Sequence, residues 1–225
     1  MVIFNMMSKL ALTKQVLIYM YGFPGSGKSY VARNLAQTIE AAIVSADRIR
    51  SQLFEHPRYD TQENAIINHL MNYMTEEFLN AGVSVVCDTG AIRLAHRRQL
   101  RELARKHKAE ALLVWLQIDA ESAYDRTQNR DKRTIDDKHA EPQNKLSFDK
   151  QILGMQHPKD EDYLVISGKH AFITQKGAII NRLYQLGLME SGTMQSNVAK
   201  PGLVNLVPNP HAGRVDMSRR NITIG

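Results

Sequence analysis

Gly22-Phe23-Pro24-Gly25-Ser26-Gly27-Lys28-Ser29 follows the apolar run Val16-Leu17-Ile18-Tyr19-Met20-Tyr21 and precedes a stretch in which Val31, Leu35, Ala36 and Ile39 recur at helical spacing. The eight residues fit the pattern G-x-x-x-x-G-K-[ST] in full, and the order buried strand, glycine loop, helix is the one this pattern requires. Its chemistry is anion binding. Glycines let backbone N–H groups turn inward around phosphates, and the helix N-terminus adds its positive end. The reading places a nucleoside triphosphate, ATP, on Gly22, Pro24, Gly25, Ser26, Gly27, Lys28, Ser29 and Tyr30. Lys28 is expected at the β- and γ-phosphates, and the Ser29 hydroxyl on Mg²⁺.

Outward from this loop, strands and helices alternate. The pattern predicts a second strand over 42–45 running into Asp47, and a helix over 61–80 whose apolar stripe is Ile66, Leu70, Tyr73, Met74 and Leu79, stopped by Gly82. A third strand over 83–87 is closed by Asp88. A basic helix over 94–107, a strand over 111–118 and a helix from 120 into the charged segment 126–138 follow. A helix over 146–155, a strand over 163–166 and a helix over 175–186 complete the series. Such alternation implies parallel strands joined by crossovers, hence a three-layer α/β sheet. Ligands of these sheets sit at the carboxyl ends of the strands, where the glycine loop, Asp47 and Asp88 all fall.

Composition bounds the rest. The chain has 225 residues, a net charge of +6 and one cysteine, Cys87. An internal disulfide is excluded, a reducing cytoplasm is the expected compartment, and Cys87 reads as a small buried hydrophobe. No apolar run approaches the roughly 20 residues of a membrane span. The eight histidines show no ligand spacing, so no zinc site is expected.

Moving a γ-phosphoryl group requires charge neutralisation, a metal and a group that orients the acceptor hydroxyl. Asp88 is the natural metal-side carboxylate, with a helix N-cap as the plain alternative. Asp47 suits the acceptor hydroxyl. Arg50, three residues on, would share its helical face and grip an acceptor anion; an N-cap at Asp47 with a local ion pair is the plain alternative. Arg126 and Arg130, one helical turn apart, suit a closing lid or a solvated charge run. Arg93, Arg97, Arg101 and Arg105 recur every four residues, as a nucleic-acid track or as the solvated face of a helix with Leu100, Leu103 and Ala104 turned inward.

Taken in order, the loop, Ser45-Ala46-Asp47-Arg48-Ile49-Arg50, Val85-Val86-Cys87-Asp88-Thr89 and Arg126-x-x-x-Arg130 resemble the P-loop kinases of the polynucleotide 5′-hydroxyl kinase type over about 14–188. Zeta-toxin-like and other small-molecule kinases, with an AAA-like ATP-binding domain, share much of this layout. The resemblance implies a P-loop NTPase fold with a five-stranded parallel sheet and the Asp88 strand beside the loop strand. It implies ATP and Mg²⁺ as cofactors and transfer to a hydroxyl of a nucleic acid or a small metabolite. By the same resemblance Asp47 activates the acceptor, Arg50 holds its phosphate, Arg130 reaches the transferring group and Arg126 lies near the nucleotide. The chain has Gly90 where polynucleotide kinases usually carry an Asn.

The expected organisation is a kinase domain over 1–188, with a lid at about 126–145, and a Pro- and Gly-containing tail over 189–225. A GTPase switch would need N-K-x-D after the fourth strand. Asn144-Lys145-Leu146-Ser147 lacks the Asp and lies elsewhere. A remodelling ATPase would need a helical domain for which the chain is short. A non-catalytic nucleic-acid-binding protein regulated by ATP rests on the arginine stripe alone.

Overall fold

Strand β1 (Val16–Tyr21) is buried along its whole length because helices cover both of its faces. Val16, Ile18 and Met20 point into one core with Val31 and Leu35 of helix α1 (Lys28–Thr38) and Ile179, Ile180 and Leu183 of helix α7 (Phe172–Gln185). Leu17, Tyr19 and Tyr21 point into the other, with Ile67, Met71 and Leu79 of helix α3 (Thr61–Asn80) and Leu100 and Ala104 of helix α4 (Leu94–Lys106). A near-continuous apolar strand is what a parallel sheet between two helical layers demands. The computed structural model describes residues 10–131, 133–134, 138–139 and 144–189. The expected tail beyond Met189, and lid residues Lys132, Asp136, Asp137 and Pro142, lie outside the described residues.

The sheet has five parallel strands in the order β2-β3-β1-β4-β5, with β2 at Ala42–Ser45, β3 at Val85–Asp88, β4 at Glu110–Gln117 and β5 at Tyr163–Ser167. Tyr19 pairs with Cys87, so the strand ending in Asp88 lies directly beside the loop strand. This is the three-layer P-loop NTPase fold. Helix α2 (Ala46–Leu53) begins as β2 ends, which puts Asp47 in its first turn. Cys87 is fully buried, and its thiol lies 3.3 Å from the Thr75 hydroxyl. Burial pushes that thiol up to about 12. Among the described residues no helix is long and apolar enough to cross a membrane.

The expected faces of two helices change for one reason: polar side chains take inward positions when a buried partner awaits them. The inward stripe of α3 is Glu63, Ile67, Met71, Thr75 and Leu79, while Ile66 and Tyr73 face outward. Thr75 meets Cys87, and Glu63 meets Arg50 at 2.5 Å. Half of the arginine stripe is the solvated face of α4, with Arg93 and Arg105 exposed and Leu100 and Ala104 turned inward; the other half is not. Arg97 is 0 % exposed; its Nε and Nη2 grip Glu161, its Nη1 donates to Ala91 O at 2.9 Å, and its guanidinium lies 5.2 Å from the Tyr21 ring. Arg101 also donates to Glu161 and bonds Tyr19. Helix α5 (Ala120–Gln128) enters the charged segment as expected but ends at Gln128, so Arg126 lies in its last turn and Arg130 beyond it, and the two do not share a helix.

Glu161 precedes β5, and the loop that carries it is fastened to the sheet at a second point. His157 stacks on Trp115 and its Nδ1 hydrogen-bonds the Tyr21 hydroxyl at 2.9 Å. Burial would raise the Glu161 carboxyl, yet the two arginines hold it below its usual range. Removing one partner from such a cluster leaves charge without compensation. Arg97→Ala is expected to cost about 3 kcal/mol of unfolding free energy, read by urea denaturation. A loss below ~1 kcal/mol would mean that Arg101 alone satisfies Glu161.

Candidate active site

The glycine loop is pressed between two backbones. At Gly25, φ is +78° and an added Cβ would lie 2.1 Å from Ala123 O of α5. At Gly22, φ is +147° and a Cβ would lie 2.5 Å from Leu116 O of β4. No L side chain fits either place, so the motif's glycines are set by packing as well as by phosphate chemistry. Pro24 and Ser26 are buried beneath the loop, and the Ser26 hydroxyl is buried with no hydrogen-bond partner among the described residues. Gly27 forms the N-cap of α1.

Lys28 folds back over this loop, its Nζ donating to Gly22 O at 2.9 Å and Phe23 O at 2.6 Å. Burial lowers its ammonium to about 8; Asp88 and Asp47 pull it up, and Arg130 pushes it down. One electrostatic neighbourhood thus contains all four expected groups. Asp88, at the end of β3, accepts from Ser45 Oγ at 3.0 Å and from the Ser29 hydroxyl. Burial raises its carboxyl above the ordinary range, with Asp47 adding to the rise and the two hydroxyls and Lys28 opposing it. It caps no helix, because Arg93 holds the N-cap of α4. Ser29 and Asp88 together present the hard oxygen donors that Mg²⁺ prefers, and the donor set fits that ion. Asp47 is not a cap either, since Ser45 holds the N-cap of α2. Its side chain is 44 % exposed and touches Arg50 Nη1 at 3.4 Å.

Arg50 is the residue whose surroundings sequence reasoning missed. It is buried, with Nε on Glu63 Oε1 at 2.5 Å and Nη2 on Asn64 Oδ1 at 2.6 Å. Glu63 Oε2 reaches back to the backbone N–H of Arg58 (2.7 Å) and Tyr59 (3.3 Å). Burial would raise the Glu63 carboxyl, but these bonds and Arg50 keep it low. A signal was there: Asp60-Thr61-Gln62-Glu63 has capping-box spacing, and Asp60 does cap α3 by accepting from Glu63 N.

On the far side of the loop, Arg126 Nη1 donates to Gly168 O, just past β5, at 2.9 Å. Tyr30 meets Phe172 edge-on at 5.9 Å. A cavity of about 580 Å³ opens at the ends of β4 and β5, bounded by Phe23, Trp115, Gln117 and Ser167, with Asp119 and Lys169 paired at 2.6 Å. Lys169 and the Ser122 N–H hold the Asp119 carboxyl well below its usual range.

A family model described as an AAA domain matches residues 17–152, from the second residue of β1 into helix α6 (Lys145–Leu153). The chain belongs to the AAA domain family. Solved structures resemble this AAA domain at low identity. The Mycobacterium tuberculosis APS kinase CysC, in complex with AMPPNP and APS, is 16% identical with a TM-score of 0.57, over 76% of this chain and 98% of its own. A sugar kinase from a Janibacter species is 16% identical with a TM-score of 0.57, over 81% and 99%. Chaetomium thermophilum Kti12 in complex with ADP-AlF3 is 16% identical with a TM-score of 0.58, over 75% and 97%. Such likeness carries the fold. No curated protein matches the chain.

The contact at Gly25 makes a direct test of the loop's packing. Gly25→Ala is expected to cost about 3 kcal/mol of stability in chemical denaturation, through strain at positive φ and the clash with Ala123. An unchanged midpoint would show that α5 yields without cost.

Proposed function

We propose that this AAA domain is an ATP-dependent kinase that transfers the γ-phosphate of ATP to a hydroxyl. One observation carries the reading: Lys28, Ser29 and Asp88 meet at the end of β1 and β3, with the half-exposed carboxylate of Asp47 beside them. The glycine loop and Lys28 hold the phosphates, and Ser29 and Asp88 would hold Mg²⁺. Bound there, Mg²⁺ would neutralise charge on the phosphate oxygens. Asp47 orients the acceptor hydroxyl and takes its proton as the oxygen bonds to the γ-phosphorus and the bond to the bridging oxygen of ADP breaks. Arg126 and Arg130 stabilise the nucleotide and the transferring group from the lid side.

A small-molecule acceptor is favoured over a nucleic-acid 5′-hydroxyl. Arg97 and Arg101, half of the one basic stripe able to follow a phosphate backbone, are committed to Glu161. APS and sugar kinases share the fold.

Transfer of label from γ-labelled ATP to a panel of 5′-hydroxyl oligonucleotides, nucleosides, sugars, nucleotide sugars and antibiotics tests the reading. Asp47→Asn is expected to lower turnover at least ~100-fold with ATP affinity nearly intact, the scale of a lost general base. Loss of ATP affinity in that variant would move Asp47 to the nucleotide side. Lys28 adds a pH signature. Phosphates beside it restore the proton that burial weakens, so binding takes up a proton above pH 8 and none well below it. ATP affinity is therefore expected to fall as pH rises through about 8. Calorimetry in buffers of different ionisation enthalpy reads the uptake, and none at pH 9 would place Lys28 away from the phosphates.

A further inference from the structure

The resemblance assigns Arg50 to the acceptor's phosphate, and its surroundings argue for a different task. The side chain is 7 % exposed, and each of its three nitrogens already bonds protein: Nε to Glu63, Nη2 to Asn64 and Nη1 to Asp47. The Tyr59 ring covers its guanidinium at 4.5 Å. Glu63 is 1 % exposed, so withdrawing Arg50 toward an incoming anion would strand a buried carboxylate. Fixed charge points the same way. In direct contact with the guanidinium are two negative groups, Asp47 and Glu63, and Lys28, which also feels Asp47, is already bonded to the carbonyls of the glycine loop. The next cation along the chain, Arg58, is paired with Asp60 at 3.1 Å. A phosphate or sulfate ester seated here would meet net repulsion.

Tyr59 supplies the surface that a ligand would meet here. Its φ is +57°, a conformation that an aromatic residue seldom adopts. The strain is held by two bonds from the same cluster, Tyr59 N to Glu63 Oε2 and Asn64 Nδ2 to Tyr59 O at 3.0 Å. The ring is 40 % exposed and shares one guanidinium with Asp47. One face of the ring lies on the guanidinium that Asp47 also touches, and the exposed part of Tyr59 is what a ligand reaching that carboxylate has to stack on. Aromatic rings take up hydroxylated rings and bases by stacking, without need of charge.

We propose that the acceptor of this kinase is an uncharged hydroxylated ring, a sugar or a nucleoside bearing no phosphate or sulfate ester, stacked on Tyr59 with its hydroxyl at Asp47. Arg50 is then a positioning residue, a buried strut that sets Asp47 and Tyr59 side by side. The proposal rests on the phosphotransfer reading above and names its substrate class; the bonds made and broken are those already given.

Matched acceptors test it: adenosine against adenosine 3′-phosphate, and N-acetylglucosamine against its 1-phosphate, each with γ-labelled ATP and Mg²⁺ on the full chain. Their binding to the AMPPNP-loaded protein is measured in parallel. The expected result is that kcat/KM for at least one neutral member exceeds that of its phosphorylated partner tenfold or more. Which pair responds separates nucleoside from sugar. Tyr59→Ala should raise KM for the neutral acceptor about tenfold with kcat within twofold, and Tyr59→Phe, which keeps the ring, should restore it. Preference for the phosphorylated member, or a KM indifferent to Tyr59→Ala, overturns the proposal while leaving the kinase intact. Binding of AMPPNP with transfer to no acceptor overturns phosphotransfer instead. The binding arm then decides, because a neutral ring held by wild type and Tyr59→Phe but lost in Tyr59→Ala supports the stacking site, and no binding overturns it.

Discussion

The carbonyls of Ala123 and Leu116 lie so close to the glycine loop that no side chain fits between, and the geometry of the site follows from that contact. The loop cannot shift toward α5 or toward the end of β4 without pushing their backbones aside. It is held open by its neighbours, and Lys28 closes it from above by bonding two of its own carbonyls. Because Arg126 leaves the same helix to reach Gly168, α5, the loop and the end of β5 form one packed unit. Preorganisation of this kind spares an enzyme the cost of arranging donors after its substrate arrives.

Buried charge does the equivalent work on the opposite layer. Two ionic clusters, Arg50 with Glu63 and Asp47, and Arg97 and Arg101 with Glu161, tie loops to helices where an apolar contact would leave their angle free. Ion pairs of this kind are costly to desolvate and exacting in geometry, so they suit places where position matters more than stability. Each also removes an arginine from the surface that ligands meet. The charge of +6 is therefore a poor guide to what faces an incoming molecule.

The fold was legible because its signals are local: a motif bracketed by a strand and a helix, an alternation of periods, and aspartates at strand ends. Thr61–Asn80 and Ala42–Ser45 were read to the residue on that basis. The face of α3 and the inward arginines of α4 were not, because hydrophobicity counts Glu63, Thr75 and Arg97 as outward while their partners lie 12 to 64 positions away. Arg50 shows the limit most clearly. Its spacing from Asp47 is a local fact, but whether its charge is available depends on Glu63, which no periodicity brings near it. The same holds for Arg130, whose place beside Lys28 owes nothing to a helical turn, since α5 has already ended.

Cys87 sits one residue before Asp88 in the middle of the sheet, sealed from solvent and reluctant to ionise. A thiol so placed is silent toward alkylating reagents for as long as the sheet stays closed. Being the only one in the chain, it makes the rate of alkylation a clock for opening of the core itself, blind to changes at the surface. Any molecule that settles against Asp88 would slow that clock, so occupancy of the site can be followed without knowing what reaction the occupant undergoes.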